Sequence, residues 1–341
     1  MIRRRRITAI LAGLLVIAVL AAAVKLVSGG GGGGGGATHA AIAGTPIGSA
    51  ARSPTHVSTR SVKPTKVGAA AGTATTAVTG TSQVTGLPSS AQLAADPGTG
   101  RPGTAGVPVL MYHVIAAPPP GAPFPGLYVT PDLFAAQMHA LQAAGWHGVT
   151  LDQMEAYWKR GVPLPKGKPI VVSFDNGYQS QYTKAFPVLR AMGWAAVENI
   201  QLTGLPPSQG GFVAGQVKGL VAAGWELDTQ GFSHADLVKL SPSDLHYQVA
   251  VSRTVIQKKY GVPVNWFCYP SGHYDATVVA AVKAAGYLGS TTVVPGWAGP
   301  GSDLDRLPRL RVLGGTAPDA LLAQIAAIRS NGPPPASYDP T

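Results

Sequence analysis

Only 12% of the residues are charged, so a charged or imidazole side chain that closes an apolar run stands out. Tyr112 and His113 close Val107–Tyr112, and Asp175 and Asn176 close the run from Pro169 to Phe174. Glu198 and Asn199, then Asp228, Thr229 and Gln230, then Tyr269, then Arg309 and Arg311 end further short apolar runs. Carboxylates and imidazoles at such places transfer protons or ligate metals. Asp175 with His234 or His113 would make an acid–base pair. Arg309 or Arg311 could orient Asp175 through charge-assisted hydrogen bonds, or could instead pair with Asp303 or Asp305 in the preceding loop.

These residues need elements to position them, and the pattern supplies a β-α alternation repeated about seven times. Strands are expected at 107–112, 148–150, 169–174, 194–200, 225–229, 266–269, 287–292 and 307–312. Helices are expected at 131–144, 151–159, 181–192, 214–223, 241–260, 276–285 and 317–330. Ser241 with Asp244 reads as the capping start of the long helix. The fold class is α/β with a parallel sheet, open or closed into a barrel. Sites in such sheets lie at the C-terminal strand ends.

The first third of the chain has a different composition. Arg3 to Arg6 precede 18 mostly apolar residues, Ile7 to Val24, followed by Lys25 and the eight glycines Gly29 to Gly36. A helix of that length rises ~27 Å, close to the ~30 Å hydrocarbon core. Residues 1–28 are therefore expected to be a signal-anchor with its N-terminus in the cytoplasm. A signal peptide cleaved near Ala21 to Ala23 is the alternative. Residues 29–106, rich in Gly, Ala, Thr, Ser and Pro, are expected to be a disordered tether. Residues 107–332 form the folded domain and 333–341 a flexible tail. Both N-terminal readings place the domain outside the cytoplasmic membrane.

The formal net charge of +11 arises largely in the N-terminal third. Residues 1–106 hold ten Lys or Arg and one acid, which leaves 16 basic and 14 acidic residues for the rest. That balance argues against a nucleic-acid partner. The single cysteine, Cys268, excludes an intrachain disulfide and a cysteine zinc cluster. Its place in Trp266-Phe267-Cys268-Tyr269 reads as core.

Four segments in order, 107–113, Ser173 to Tyr178, Ser233-His234-Ala235-Asp236-Leu237 and Tyr269-Pro270-Ser271-Gly272, resemble the polysaccharide deacetylase (NodB-homology) family. The Met111-Tyr112-His113 opening is similar to the branch acting on poly-N-acetylglucosamine. The resemblance covers about 107–330. It implies a distorted (β/α)7 barrel that hydrolyses N-acetyl groups of an extracellular or cell-wall polysaccharide, with a divalent metal, usually zinc, as cofactor. It implies Asp175 as base and His113 as acid, with Tyr178, Tyr269, Pro270 and Trp297 as candidate substrate contacts.

At the metal positions the chain departs from that pattern. Where the family has an aspartate and a His-x-x-x-His pair, this chain has Asn176 and Gln230-Gly231-Phe232-Ser233-His234. A carboxamide oxygen carries no charge and suits calcium better than zinc. Three readings follow. The cleft binds glycan without catalysis, or a rearranged metal site forms from Asp175, His234 and Asp228 or Glu198, or Asp175 works with a histidine and no metal. His273 is expected on an exposed loop.

Overall fold

A computed structural model describes residues 88, 90–205 and 210–340. The expected signal-anchor and most of the expected tether lie outside the described residues. Among the described residues no helix is long and apolar enough to cross a membrane. The last part of the expected tether is packed rather than loose. α1 (Ser90–Ala95) buries Leu93 against Ala156 and Val162, and Arg160 donates to the carbonyls of Leu93 and Asp96. The one apolar anchor and its arginine ties correct the domain boundary from 107 to about 90.

The sheet contains β1 (Val107–Tyr112), β2 (Trp146–Val149), β3 (Lys168–Asn176), β4 (Val197–Ile200), β5 (Glu226–Thr229), β6 (Trp266–Cys268), β7 (Gly289–Thr291), β8 (Trp297–Ala298) and β9 (Leu310–Arg311). Its main path runs β7-β6-β5-β4-β3-β1-β8, and all pairings along it are parallel except β1 with β8. The segment around β9 closes the curl. Leu307 bridges to Thr291 of β7, and Leu310 and Arg311 pair with Leu110 and Met111 of β1. Six strands and this closing segment make the seven-membered barrel that the alternation implied.

Helices connect the strands: α2 (Pro131–Ala143), α3 (Leu151–Arg160), α4 (Phe186–Ala191), α5 (Ala214–Ala222), α6 (Pro242–His246), α7 (Ser252–Tyr260), α8 (Ala276–Ala284) and α9 (Pro318–Ala327). Local sequence sets their ends. Thr150 and Gln153 form a reciprocal capping box on α3, and Gly161 ends it at φ 70°. The expected helix 241–260 is present as α6, one wide turn at Tyr247–Val251 and α7, with the Ser241 hydroxyl accepting from the Asp244 N–H.

Strand alternation sorts side chains into two layers. Phe174, Glu198 and Leu227 are register partners facing the helices, where Phe174 stacks on Trp225. Asp175, Asn199 and Asp228 are register partners on the opposite, interior face. Glu198 is fully buried with both carboxyl oxygens unpartnered, and burial pushes its pKa well up, so it is held neutral.

Three interior acids gather below the mouth. The Glu226 carboxylate accepts the Asp152 N–H at 2.7 Å, Asp152 accepts from Asn265 and the Trp266 indole, and Asp228 accepts the backbone N–H groups of Asn265 and Trp266. Burial, with the Asp152 charge adding, raises Asp228 to about 7, and burial likewise pushes Glu226 well up. Free aspartate titrates near ~3.9, so between about pH 4 and 7 the folded state holds more protons than the unfolded chain. Stability must then fall as pH rises through that window. Chemical denaturation across it should show the decline, and Asp228→Asn should flatten it.

Candidate active site

Asp175 sits at the top of β3, and Arg309 reaches it from the closing segment through the barrel interior. Arg309 is fully buried and Asp175 is 1% exposed. The pair is bidentate: Arg309 Nη1 donates to Oδ1 at 2.7 Å and Nη2 to Oδ2 at 2.9 Å. Asn199 Nδ2 donates to Oδ1 at 2.9 Å, and the Cys268 thiol lies 3.5 Å from Oδ2. The remaining Arg309 donors reach the Thr292 carbonyl, the Ser173 hydroxyl and Cys268 Sγ. Burial alone would raise the carboxyl, yet the Arg309 charge and hydrogen bonds outweigh it and hold Asp175 at about 2. Burial pushes the Cys268 thiol to about 12, so it stays neutral.

A carboxylate offers roughly four acceptor sites, and these four contacts occupy them. The structure therefore holds Asp175 as an anion whose two oxygens are engaged by Arg309, Asn199 and Cys268.

Two imidazoles lie within electrostatic reach. Burial lowers His113 to about 4 against the opposing charge of Asp175, and the ring's Nδ1 is buried without a partner. Burial also lowers His234, again opposed by Asp175. Both rings are neutral at neutral pH. Gln181, fully buried, positions the first: its Nε2 donates at 2.8 Å to the carbonyls of both His113 and Asp175. Nothing in the sequence marks Gln181 for this task, because it is one polar residue among many at a helix start.

Asn176, His234 and Ser271 are the non-glycine residues with positive φ among those described, at 79°, 56° and 55°. Each belongs to one of the four segments singled out in the sequence. Asparagine tolerates the left-handed region, whereas histidine and serine pay about 1–2 kcal/mol. Strain of this kind collects where a site dictates side-chain direction.

The metal positions do not fit zinc. Asn176, Gln230 and His234 supply two neutral amides and one imidazole. Asn176 Nδ2 is committed to Gln201 Oε1 at 2.6 Å. Gln230 Oε1 is buried without a partner, an acceptor with no negative charge. The rearranged alternative is not assembled either: Glu198 faces the helices, and among the described residues Asp175, His234 and Asp228 do not come within ligand distance of one another. The family generally uses a divalent metal; these residues do not make its usual site.

Other expected contacts are placed elsewhere. Trp297 pairs next to Pro108 at the opposite end of β1 from His113, donates its indole N–H to the Ile325 carbonyl and packs on Trp146. That location corrects its reading as a sugar platform. Tyr269 is 1% exposed and its hydroxyl donates to the Asp305 carbonyl, so it is a core residue, as is buried Pro270. Arg311 is exposed on β9 and depresses the His113 pKa without touching Asp175. Tyr178 is half-buried, and its raised pKa reflects burial first and then Tyr128 and Asp175 nearby.

Residues 164–289 match the polysaccharide deacetylase family profile. That stretch is a polysaccharide deacetylase domain. YxkH of Bacillus subtilis (strain 168), named for the same family, is 26% identical over 224 residues, covering 65% of this chain and 77% of that protein. The Streptococcus pyogenes deacetylase PplD, solved with acetate, superposes with a TM-score of 0.60 at 26% identity, over 65% of this chain and 99% of that one. The Escherichia coli (strain K12) poly-β-1,6-N-acetyl-D-glucosamine N-deacetylase is 44% identical over 57 residues, 17% of this chain and 8% of that protein. The deacetylase fold is the distorted (β/α)7 barrel, and the family's reaction is hydrolysis of a carbon–nitrogen bond outside peptides.

Removing one member of the buried pair strands the other. Arg309→Met should cost about 3–5 kcal/mol by chemical denaturation. Asp175, depressed to about 2, contributes stability that is present above pH ~4 and lost as pH falls toward 2. Asp175→Asn should abolish that acid-side loss.

Proposed function

We propose that the domain removes acetyl groups from an extracytoplasmic N-acetylated polysaccharide, with poly-N-acetylglucosamine as the leading candidate. The saturated Asp175 carboxylate beside the neutral His113 carries the reading. The substrate class draws support from the Met111-Tyr112-His113 strand end and from the Escherichia coli relative. Location outside the cytoplasmic membrane draws support from the Arg3 to Val24 sequence pattern.

Hydrolysis of an acetamide needs a base for the attacking water and an acid for the departing nitrogen. His113 is neutral above about pH 4, so one imidazole serves both needs in turn. It takes the proton as water adds to the carbonyl carbon, then returns it to nitrogen as the C–N bond breaks. Acetic acid and a free amine leave, the acid losing its proton to water, and the ring ends as it began. Asp175 stays ionised throughout and favours the imidazolium formed midway, while Arg309 and Asn199 hold it in place. The unpaired Gln230 Oε1 and Asn199 Oδ1 are acceptors suited to an acetamide N–H.

Acetate release from poly-N-acetylglucosamine oligomers tests this. The wild type should release acetate, and His113→Ala should lower kcat about 100-fold or more with little change in KM. Trp297→Phe should leave both constants within about twofold. A wild-type domain that binds the oligomer and releases no acetate contradicts the proposal.

A further inference from the structure

Away from the Asp175 centre, three ligand-type side chains from three separate segments meet at the barrel mouth. Asp236 comes from the loop after β5, His273 from the turn after β6, and Asp339 from the C-terminal tail. Their ligand atoms all lie within 4.8 Å of one another. His273 Nδ1 is 3.2 Å from Asp236 Oδ1 and 3.4 Å from Asp339 Oδ1, and the three side chains are 13%, 30% and 35% exposed in that order.

The arrangement is built rather than incidental. The tail reaches the mouth through a two-way backbone pairing of Tyr338 with Tyr274, next in sequence to His273. The Tyr274 hydroxyl and Arg306 both donate to the Pro335 carbonyl. Lys239 Nζ takes the other Asp236 oxygen, Oδ2, at 2.7 Å and so turns Oδ1 toward His273, as outer partners orient metal ligands.

Lys239 offsets one of the two carboxylates, which leaves His273 as the ion-pair partner of the other. One ring nitrogen carries at most one proton, yet it faces two carboxylate oxygens. Among the described residues, Asp339 has His273 as its ion-pair partner and no lysine or arginine. A cation equidistant from the three atoms would sit on the order of 2 Å from each, the range of Zn–N and Zn–O bonds. Partial exposure leaves coordination positions open to water.

We infer that Asp236, His273 and Asp339 form a divalent transition-metal site that clamps the C-terminal tail onto the barrel mouth. An imidazole and two carboxylates suit zinc or manganese and lack the oxygen count that calcium takes. The site is distinct from the Asn176, Gln230 and His234 positions and lies two residues along the loop from His234.

The test uses the full chain, dialysed against chelator and titrated with zinc or manganese alone by calorimetry, with metal content measured after desalting. The expected result is one ion per chain, with carboxypeptidase trimming of the tail slowed about tenfold or more when metal is present. Asp339→Asn and His273→Gln should each weaken binding about 10- to 100-fold, and Asn176→Ala with Gln230→Ala should not. Melting in chelator reports whether each variant is folded, and Asp236→Asn provides a third if one is not. No retained ion, or loss that follows Asn176 and Gln230 instead of Asp339, overturns the inference. Because the readouts are metal content and tail cleavage, failure here leaves the acetate-release result to stand or fall separately.

Discussion

The buried pair of Asp175 and Arg309 links the barrel to its chemistry. Asp175 ends β3, while Arg309 lies on the segment that joins β7 to β1. One bidentate contact thus spans the interior from the sheet's middle to its closure. Desolvating two ions costs several kcal/mol each, and the pair survives only because its other hydrogen-bonding positions are filled. Ser173, Asn199, Cys268 and the Thr292 carbonyl fill them. Each comes from a different part of the barrel, so the charge at the mouth depends on the register of several strands at once.

That saturation decides what the carboxylate can do. An aspartate with open lone pairs could accept a proton or bind a metal. Here Asp175 is held as a negative charge, and in the proposed reaction proton handling passes to the His113 imidazole. The two carboxamides at the usual metal positions are consistent with this division, since neither adds charge. The mouth has strained backbone at Asn176, His234 and Ser271, which fixes side-chain direction there. In polysaccharide deacetylases generally a divalent metal assists; in this chain the Asp-His-Asp group offers one a place outside the usual position.

Much of the fold was legible because it rests on local rules. The apolar runs at 107–112 and 169–174 and the Ser241 start are short-range signals, and each element appears close to its expected range. Strand-end polarity also marked Asp175, His113 and Arg309 correctly as neighbours of the mouth. What the sequence hid depends on which face a side chain takes and what fills its hydrogen bonds. Glu198 is one residue from Asn199, yet pleating sends it to the helices. Trp297 reads as a loop aromatic until antiparallel pairing with Pro108 puts it at the wrong end of the barrel. Gln181 and Cys268 gain their roles only through tertiary contact. The packing of Ser90–Ala95 rests on a single leucine, too little to show against a Gly- and Thr-rich background.

In the proposed reaction His113, and not Asp175, exchanges the proton during amide hydrolysis. The pH dependence of kcat/KM for acetate release measures this most directly. The acid limb should be governed by a group titrating near 4, and should be moved or removed in His113→Asn with the fold intact. An acid limb unchanged in His113→Asn, or full activity in that variant at pH 7, would contradict it.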